Sequence, residues 1–211
     1  MTKRSRVPHN LSPPEMDNSA HTLDMKAIGI KLGFHEGRYF LTREDGERAY
    51  RPMVERLKAI PSGTALVCIL PPAHVMDASF ADETVIRIVE KLMERQFGER
   101  SVVLQSANAN TVNNVNAAVS LRNLDLALLA VEPDGGWQIL GHLDKTLAET
   151  LSVVGETGPL KAADLARRKR ISIHTASTRL KRLYDRCLVR REHSISPEKG
   201  LEYIYSFWTW R

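Results

Sequence analysis

Cysteine is scarce in this 211-residue chain: there are two, Cys68 and Cys187. They stand far apart, each flanked by apolar residues, which is the setting of buried reduced thiols and not of a disulfide framework or a thiolate metal centre. Long hydrophobic runs are also missing, and no stretch approaches the roughly 20 residues needed to span a bilayer. The opening segment "MTKRSRVPHNLSPPEMDNSAHT" is basic at first but lacks the apolar core, about 7 to 15 residues long, of a secretory signal. The expectation is a cytoplasmic protein without a membrane anchor. Enzyme motifs are absent as well: there is no Gly-rich phosphate loop, no His-Glu-x-x-His zinc helix and no Gly-x-Ser-x-Gly nucleophile elbow. His74 and Asp77, three apart in a loop, form one weak pair, so the expectation is no enzyme activity, no cofactor and no metal site.

What is present has the proportions of a soluble globular chain, 43% hydrophobic and 26% charged. Its net charge of +5 is unevenly placed. Lys and Arg against Asp and Glu count 3 and 3 over residues 1–25, 13 and 14 over 26–141, and 14 and 8 over 142–211. The whole excess lies in the last third, as an electrostatic footprint for a polyanion or as a solvated basic face. Charge alone does not separate the two.

Along the chain, residues 1–24 contain three prolines and no sustained period, and read as a flexible leader. "MKAIGIKLG", "FHEG" and "RYFLT" then predict two short strands joined as a hairpin. Arg43 to Ile60 carries Ala49, Met53 and Leu57 at helical spacing. "TALVCIL" is the mark of a central strand, buried on both faces. Ser79 is a candidate cap for a helix carrying Val85, Ile86, Val89 and Leu92. The strand "SVVLQS", a helix near Thr111 to Leu121 with asparagines capping and decorating it, and the strand "DLALLAV" follow. "EPDGG" turns into "WQILG", an edge partner. Alternating strands and helices predict an α/β layer over residues 25–141, with a boundary near Gly141.

Beyond it, Leu143, Leu147, Leu151 and Val154 mark an amphipathic helix, and Pro159 suits the first turn of the next, "LKAADLARR". "ISIHTASTRLKRL" offers Ser172 as a cap, with Ala176, Leu180 and Leu183 inward. "LVRREHSI" and "LEYIYSFW" flank the turn "SPEKG" as a hairpin. This order over residues 142–211 resembles a winged helix-turn-helix domain: "AADLARR" matches the supporting helix, "ISIHTASTRLKRL" the recognition helix and "SPEKG" the wing tip. The resemblance implies duplex DNA as partner. His174, Thr175, Ser177 and Thr178 lie on the N-terminal part that meets base edges; Arg179, Lys181 and Arg182 can reach phosphates or guanine; Arg190, Arg191 and Lys199 can add backbone contacts from the wing. Arg167 to Arg170 are further cations in the turn, or a solvated loop. Residues 142–211 are expected to bind DNA alone, and winged-helix regulators commonly work as homodimers.

In the first domain, "FLTREDGERAYRPMVERL", "GTALVCIL" and "VMDASFADETVIRIVEKL" together resemble STAS-like domains, relatives of bacterial anti-sigma-factor antagonists. That resemblance implies a regulatory protein partner or kinase and places a phosphorylation switch at Ser79, with Asp77 in the position of the motif's aspartate. A helix cap is the simpler role for Ser79, and dipole-complementing charges the simpler role for Asp82 and Glu83. The expectation is therefore a STAS-like layered α/β domain followed by a small winged helix-turn-helix domain, in a cytoplasmic, bacterial-type DNA-binding regulator of transcription. A protein-interaction adaptor of a partner-switching pathway, with no direct DNA binding, is the alternative.

Overall fold

Three runs of branched apolar residues form the centre of a sheet: β2 (Thr64–Ile69), β3 (Arg100–Gln105) and β4 (Ala127–Val131). The computed structural model describes residues 21–34, 40–71, 74–132, 136–196 and 200–208. It adds β1 (Thr22–Asp24) on one edge and β5 (Trp137–Gly141) on the other, in the spatial order β1-β2-β3-β4-β5. The first four strands are parallel, and β5 runs antiparallel to β4. The chain is thus of mixed α/β class. Among the described residues no helix is long and apolar enough to cross a membrane.

Parallel neighbours taken in sequence order, with crossovers of one hand, place every connecting helix on the same face of the sheet. The connections are α1 (Met25–Lys31), α2 (Arg43–Ala59), α3 (Ala78–Ala81) continuing through a π-helical stretch (Asp82–Ile86) into α4 (Arg87–Met93), and α5 (Ala109–Leu121). Their buried side chains pack with Leu66, Cys68, Val102, Leu104, Leu128 and Ala130 in one core. Side chains alternate along a strand. Ala65, Val67, Val103, Ala127, Leu129 and Val131 therefore face the other way, and none of those helices reaches them.

The remaining chain covers that second face. It comprises α6 (Lys145–Thr157), β6 (Leu160–Lys161), α7 (Ala162–Lys169), α8 (Ile173–Asp185), β7 (Arg190–Ser196) and β8 (Gly200–Ser206). The last three strands form a second, antiparallel sheet in the order β6-β8-β7. Leu147, Leu151, Leu180, Leu183, Tyr205 and Trp208 join the sheet residues in a single core. Gly141 makes the joint possible. Its φ is +86°, and a Cβ there would lie 2.4 Å from the Leu126 carbonyl oxygen, inside any permitted contact.

Several expectations are corrected. The stretch predicted as the hairpin's first strand is α1: Asp24 caps it by accepting the Lys26 N–H at 2.8 Å. Met25 and Ile28 are buried at a spacing of three, while Ile30, which made the stretch look alternating, is exposed. Residues 35–39 of the expected turn and second strand lie outside the described residues. The sheet begins at Thr22, inside the stretch read as a flexible leader, whose residues 1–20 also lie outside. Asp77, not Ser79, caps α3, accepting the Ser79 N–H at 2.9 Å. The two-residue strand β6 was not foreseen.

Candidate nucleic-acid interface

α7 and α8 meet through a three-residue turn. Arg170 adopts a left-handed conformation (φ 53°) at the end of α7, and the N–H groups of Arg170 and Ile171 both donate to the Ala166 carbonyl. This is how a helix end satisfies its last carbonyls while the chain reverses. Ser172 opens α8: its Oγ accepts the Thr175 N–H at 3.0 Å and lies 2.8 Å from Thr175 Oγ1. Ala176, Leu180, Leu183 and Tyr184 are buried. Opposite them runs an exposed row at spacings of four, His174–Thr178–Arg182, and a second exposed row, Ile173–Ser177–Lys181, leads along one flank from the end of the buried stripe.

The polar groups of these rows differ in what they have left to offer. Thr178 Oγ1 donates to the His174 carbonyl at 3.0 Å, leaving lone pairs and a methyl outward. Thr175 is committed to the cap. The side chains of His174, Ser177 and Arg179 make no hydrogen bond or ion pair among the described residues, nor do those of Arg168 and Lys169 at the end of α7. Arg167 has Asp164 at 3.4 Å but stands mostly in solvent. Lys181 pairs with Asp185 at 2.6 Å and Arg182 with Asp144 at 3.2 Å. Both are solvent-exposed pairs, which typically contribute about 0 to 1 kcal/mol, so a phosphate can replace the carboxylate at little expense.

The strand cations are placed differently. Arg190 donates to Ser206 Oγ at 2.9 Å and pairs with Glu192 at 3.1 Å. The Arg191 guanidinium lies 4.0 Å from the Tyr184 ring centroid and 4.5 Å from that of Tyr203. Its planar charge is thus used inside the fold. Lys199 lies outside the described residues.

The far end of α8 is fastened to the sheet layer by residues that charge counting passes over. Arg95 stacks on the Tyr184 ring at 4.0 Å and donates to the Tyr184 carbonyl at 3.1 Å, while the Tyr184 hydroxyl donates to Glu99. Burial, and then the Glu99 hydrogen bond, hold the Tyr184 phenol above its ordinary range. Ser101 Oγ and Trp208 Nε1 both donate to the Cys187 carbonyl, at 2.9 and 2.7 Å. Arg186 bonds to Asp125 and holds that carboxyl below the usual carboxylate range.

On the opposite face, Ser79 is half-buried in the second position of α3. Asp82 and Glu83, expected as simple first-turn charges, are bonded to arginines brought from other helices: Arg43 reaches both, and Arg122 bridges Asp82 at 2.7 Å and Glu90 at 3.0 Å. Gly46 of α2 lets this happen, because a Cβ there would come within 2.9 Å of Glu83 Cβ. Three asparagines in and just before α5 are structural. Asn108 caps the helix and donates to the His74 carbonyl at 2.8 Å, Asn114 donates to the Met76 carbonyl at 3.0 Å, and Asn116 accepts the Gly141 N–H at 2.6 Å. Among the described residues no group of three or more His, Cys, Asp or Glu could hold a metal ion. No protein-family model, curated protein or solved structure matches this chain.

Proposed function

We propose that α6, α7 and α8 with the β6-β8-β7 sheet act as a winged helix-turn-helix module that binds duplex DNA, in a cytoplasmic, homodimeric regulator of transcription. The observation that carries this reading is the first half of α8: an exposed helix end on which the side chains of His174, Ser177 and Arg179 have no partner among the described residues, preceded by Arg168 and Lys169, which have none there either. A helix about 10 to 12 Å across fits the major groove, and its N-terminal residues are those that approach base edges. The basic turn and Arg167 supply sequence-independent phosphate contacts. The STAS-like α/β layer is the receiving module in this reading, with a regulatory protein partner or kinase acting at Ser79.

Binding of the full chain to duplex DNA at varied salt tests the reading. If about five phosphates are engaged, log affinity falls against log salt with a slope of roughly −4 to −5. No binding at low salt, with a partner protein bound instead, would establish the adaptor role in place of DNA recognition.

A further inference from the structure

The exposed row His174–Thr178–Arg182 ends on a cation whose charge is taken by another helix. Arg182 Nη2 donates to Asp144 Oδ2 at 3.2 Å. The other carboxylate oxygen, Asp144 Oδ1, accepts the Leu147 N–H at 2.9 Å as the N-cap of α6. The cap fixes the carboxylate on the backbone, so this pair does not require two free side chains to be ordered at once, as an ordinary surface pair does. Both partners nevertheless face solvent: 48% of the Arg182 side chain and 39% of the Asp144 side chain are exposed. A competing anion can therefore reach the guanidinium. Lys181 and Asp185, by contrast, pair within α8 and move with it. Asp144 follows closely on Gly141, so its hold on Arg182 extends from the joint between the layers to the outward row of α8.

We propose that Asp144 is a built-in competitor for DNA, an ionic latch that holds the Arg182 guanidinium against α6 until a backbone phosphate takes it. This rests on the reading that α8 docks against duplex DNA. Carboxylate and phosphate offer a guanidinium the same kind of charge-assisted hydrogen bond, so one can stand in for the other. An unlatched Arg182 would only have to be ordered on the phosphate, whereas the latched one must first give up Asp144. The released carboxylate remains at the α6 N-terminus, where the cap and the helix dipole keep it in place as an anion. Because phosphate contacts carry no base information, the latch weakens binding to all sequences alike.

The test compares four full-length proteins on one duplex enriched from a random pool: wild type, Asp144→Asn, Arg182→Gln and the double variant. Asparagine is as good an N-cap as aspartate, so Asp144→Asn removes the charge and keeps the start of α6. It is expected to tighten binding roughly two- to five-fold, the range that loss of an exposed ion pair spans. Arg182→Gln is expected to weaken binding and to lower the salt slope by about 1, as one phosphate contact is lost. In the Arg182→Gln background the gain from Asp144→Asn is expected to be absent. An equal gain in both backgrounds makes Asp144 a general negative charge and overturns the latch, as does no gain in the wild-type background. A salt slope unchanged by Arg182→Gln shows that this side chain meets no phosphate and overturns it too. A fall of more than about 4 °C in the melting temperature of Asp144→Asn, with weaker binding, makes the pair structural and likewise overturns it. Failure of wild type and Asp144→Asn alike to retain any duplex at low salt removes the DNA reading and the latch with it.

Discussion

A methyl group added at Gly141 has no space to occupy. The backbone there is in the left-handed region, and the Leu126 oxygen is 2.4 Å from where the Cβ would stand, so strain and overlap act together. Gly141→Ala is expected to lower stability by about 2 to 3 kcal/mol, or roughly 5 to 10 °C in melting temperature for a chain of this size. An unchanged melting curve would mean that the β5–α6 joint relaxes freely. The two thiols show the same single-residue control by environment. Burial pushes Cys68 up to about 12 and Cys187 up to about 11, whereas a free thiol titrates near 8.5. The unfolded chain therefore releases these protons first. The associated stability is fully present below about pH 8.5 and is lost as pH rises through the folded-state values. At pH 8 a thiol-reactive dye is expected to modify neither cysteine in the native protein and both after denaturation. At this scale the sequence was partly legible. Flanking apolar residues gave away the buried thiols, but nothing local to Ser79 showed that Asp77 would take the cap.

Among the elements, caps give the most direct comparisons. Asp77→Ala removes the side chain that accepts the Ser79 N–H, and Ser172→Ala removes the one that accepts the Thr175 N–H. Each is expected to lower stability by about 0.5 to 2 kcal/mol, whereas Ser79→Ala stays within about 0.5. Thermal melts of the three variants check the order, and a larger effect at Ser79 would return the cap to it. The cations divide in the same manner. Arg168→Ala leaves the melting temperature unchanged and lowers the salt slope of DNA binding by about 1 if that side chain meets a phosphate. Arg191→Ala removes the contacts to Tyr184 and Tyr203 and is expected to lower the melting temperature, by about 0.5 to 2 kcal/mol of stability. α2, α5, α6 and α8 were legible because their apolar stripes repeat at three and four. α1 was not, since Ile28 and Ile30 mimic a strand in a seven-residue helix, and the distinction comes from the Asp24 cap and from tertiary contact. β1, at three residues, is too short to show a period. Arg191 looked like a wing cation because a stacked arginine and a solvated one are identical in composition.

For the whole molecule, the second core is shared: six inward positions of the sheet pack against α6, α8, β8 and Trp208. The nearly unbroken apolar run "TALVCIL" announced burial on both faces, but no local pattern said that the C-terminal segment would supply the cover. The apolar residues of the C-terminal segment therefore share their core with the sheet, so the expectation that this segment binds DNA alone is to be measured beside the intact chain. Contacts between the layers are not confined to the joint. The joint between β5 and α6 is short, and Asp144 beside it pairs with Arg182, but contacts to α8 also come from just beyond the far end of the helical body that carries Ser79 in its first turn. That body runs from Ala78 to Met93, and just beyond it Arg95 and Glu99 hold Tyr184. If a charge placed at Ser79, beside the Asp77 carboxylate, shifts the near end of this body, Tyr184 is a contact through which that shift would reach α8. Ser79→Asp in the full chain is expected to change DNA affinity about five-fold or more, the low end of usual coupling of roughly 1 to 3 kcal/mol. Tyr184→Phe, which keeps the ring and its stacked arginines but gives up the Glu99 bond, should reduce that effect while altering affinity little by itself. The coupling term from the four proteins, measured as DNA affinity at fixed salt, decides it. Additive effects would leave Tyr184 as an anchor only, and no effect of Ser79→Asp would confine Ser79 to the helical face.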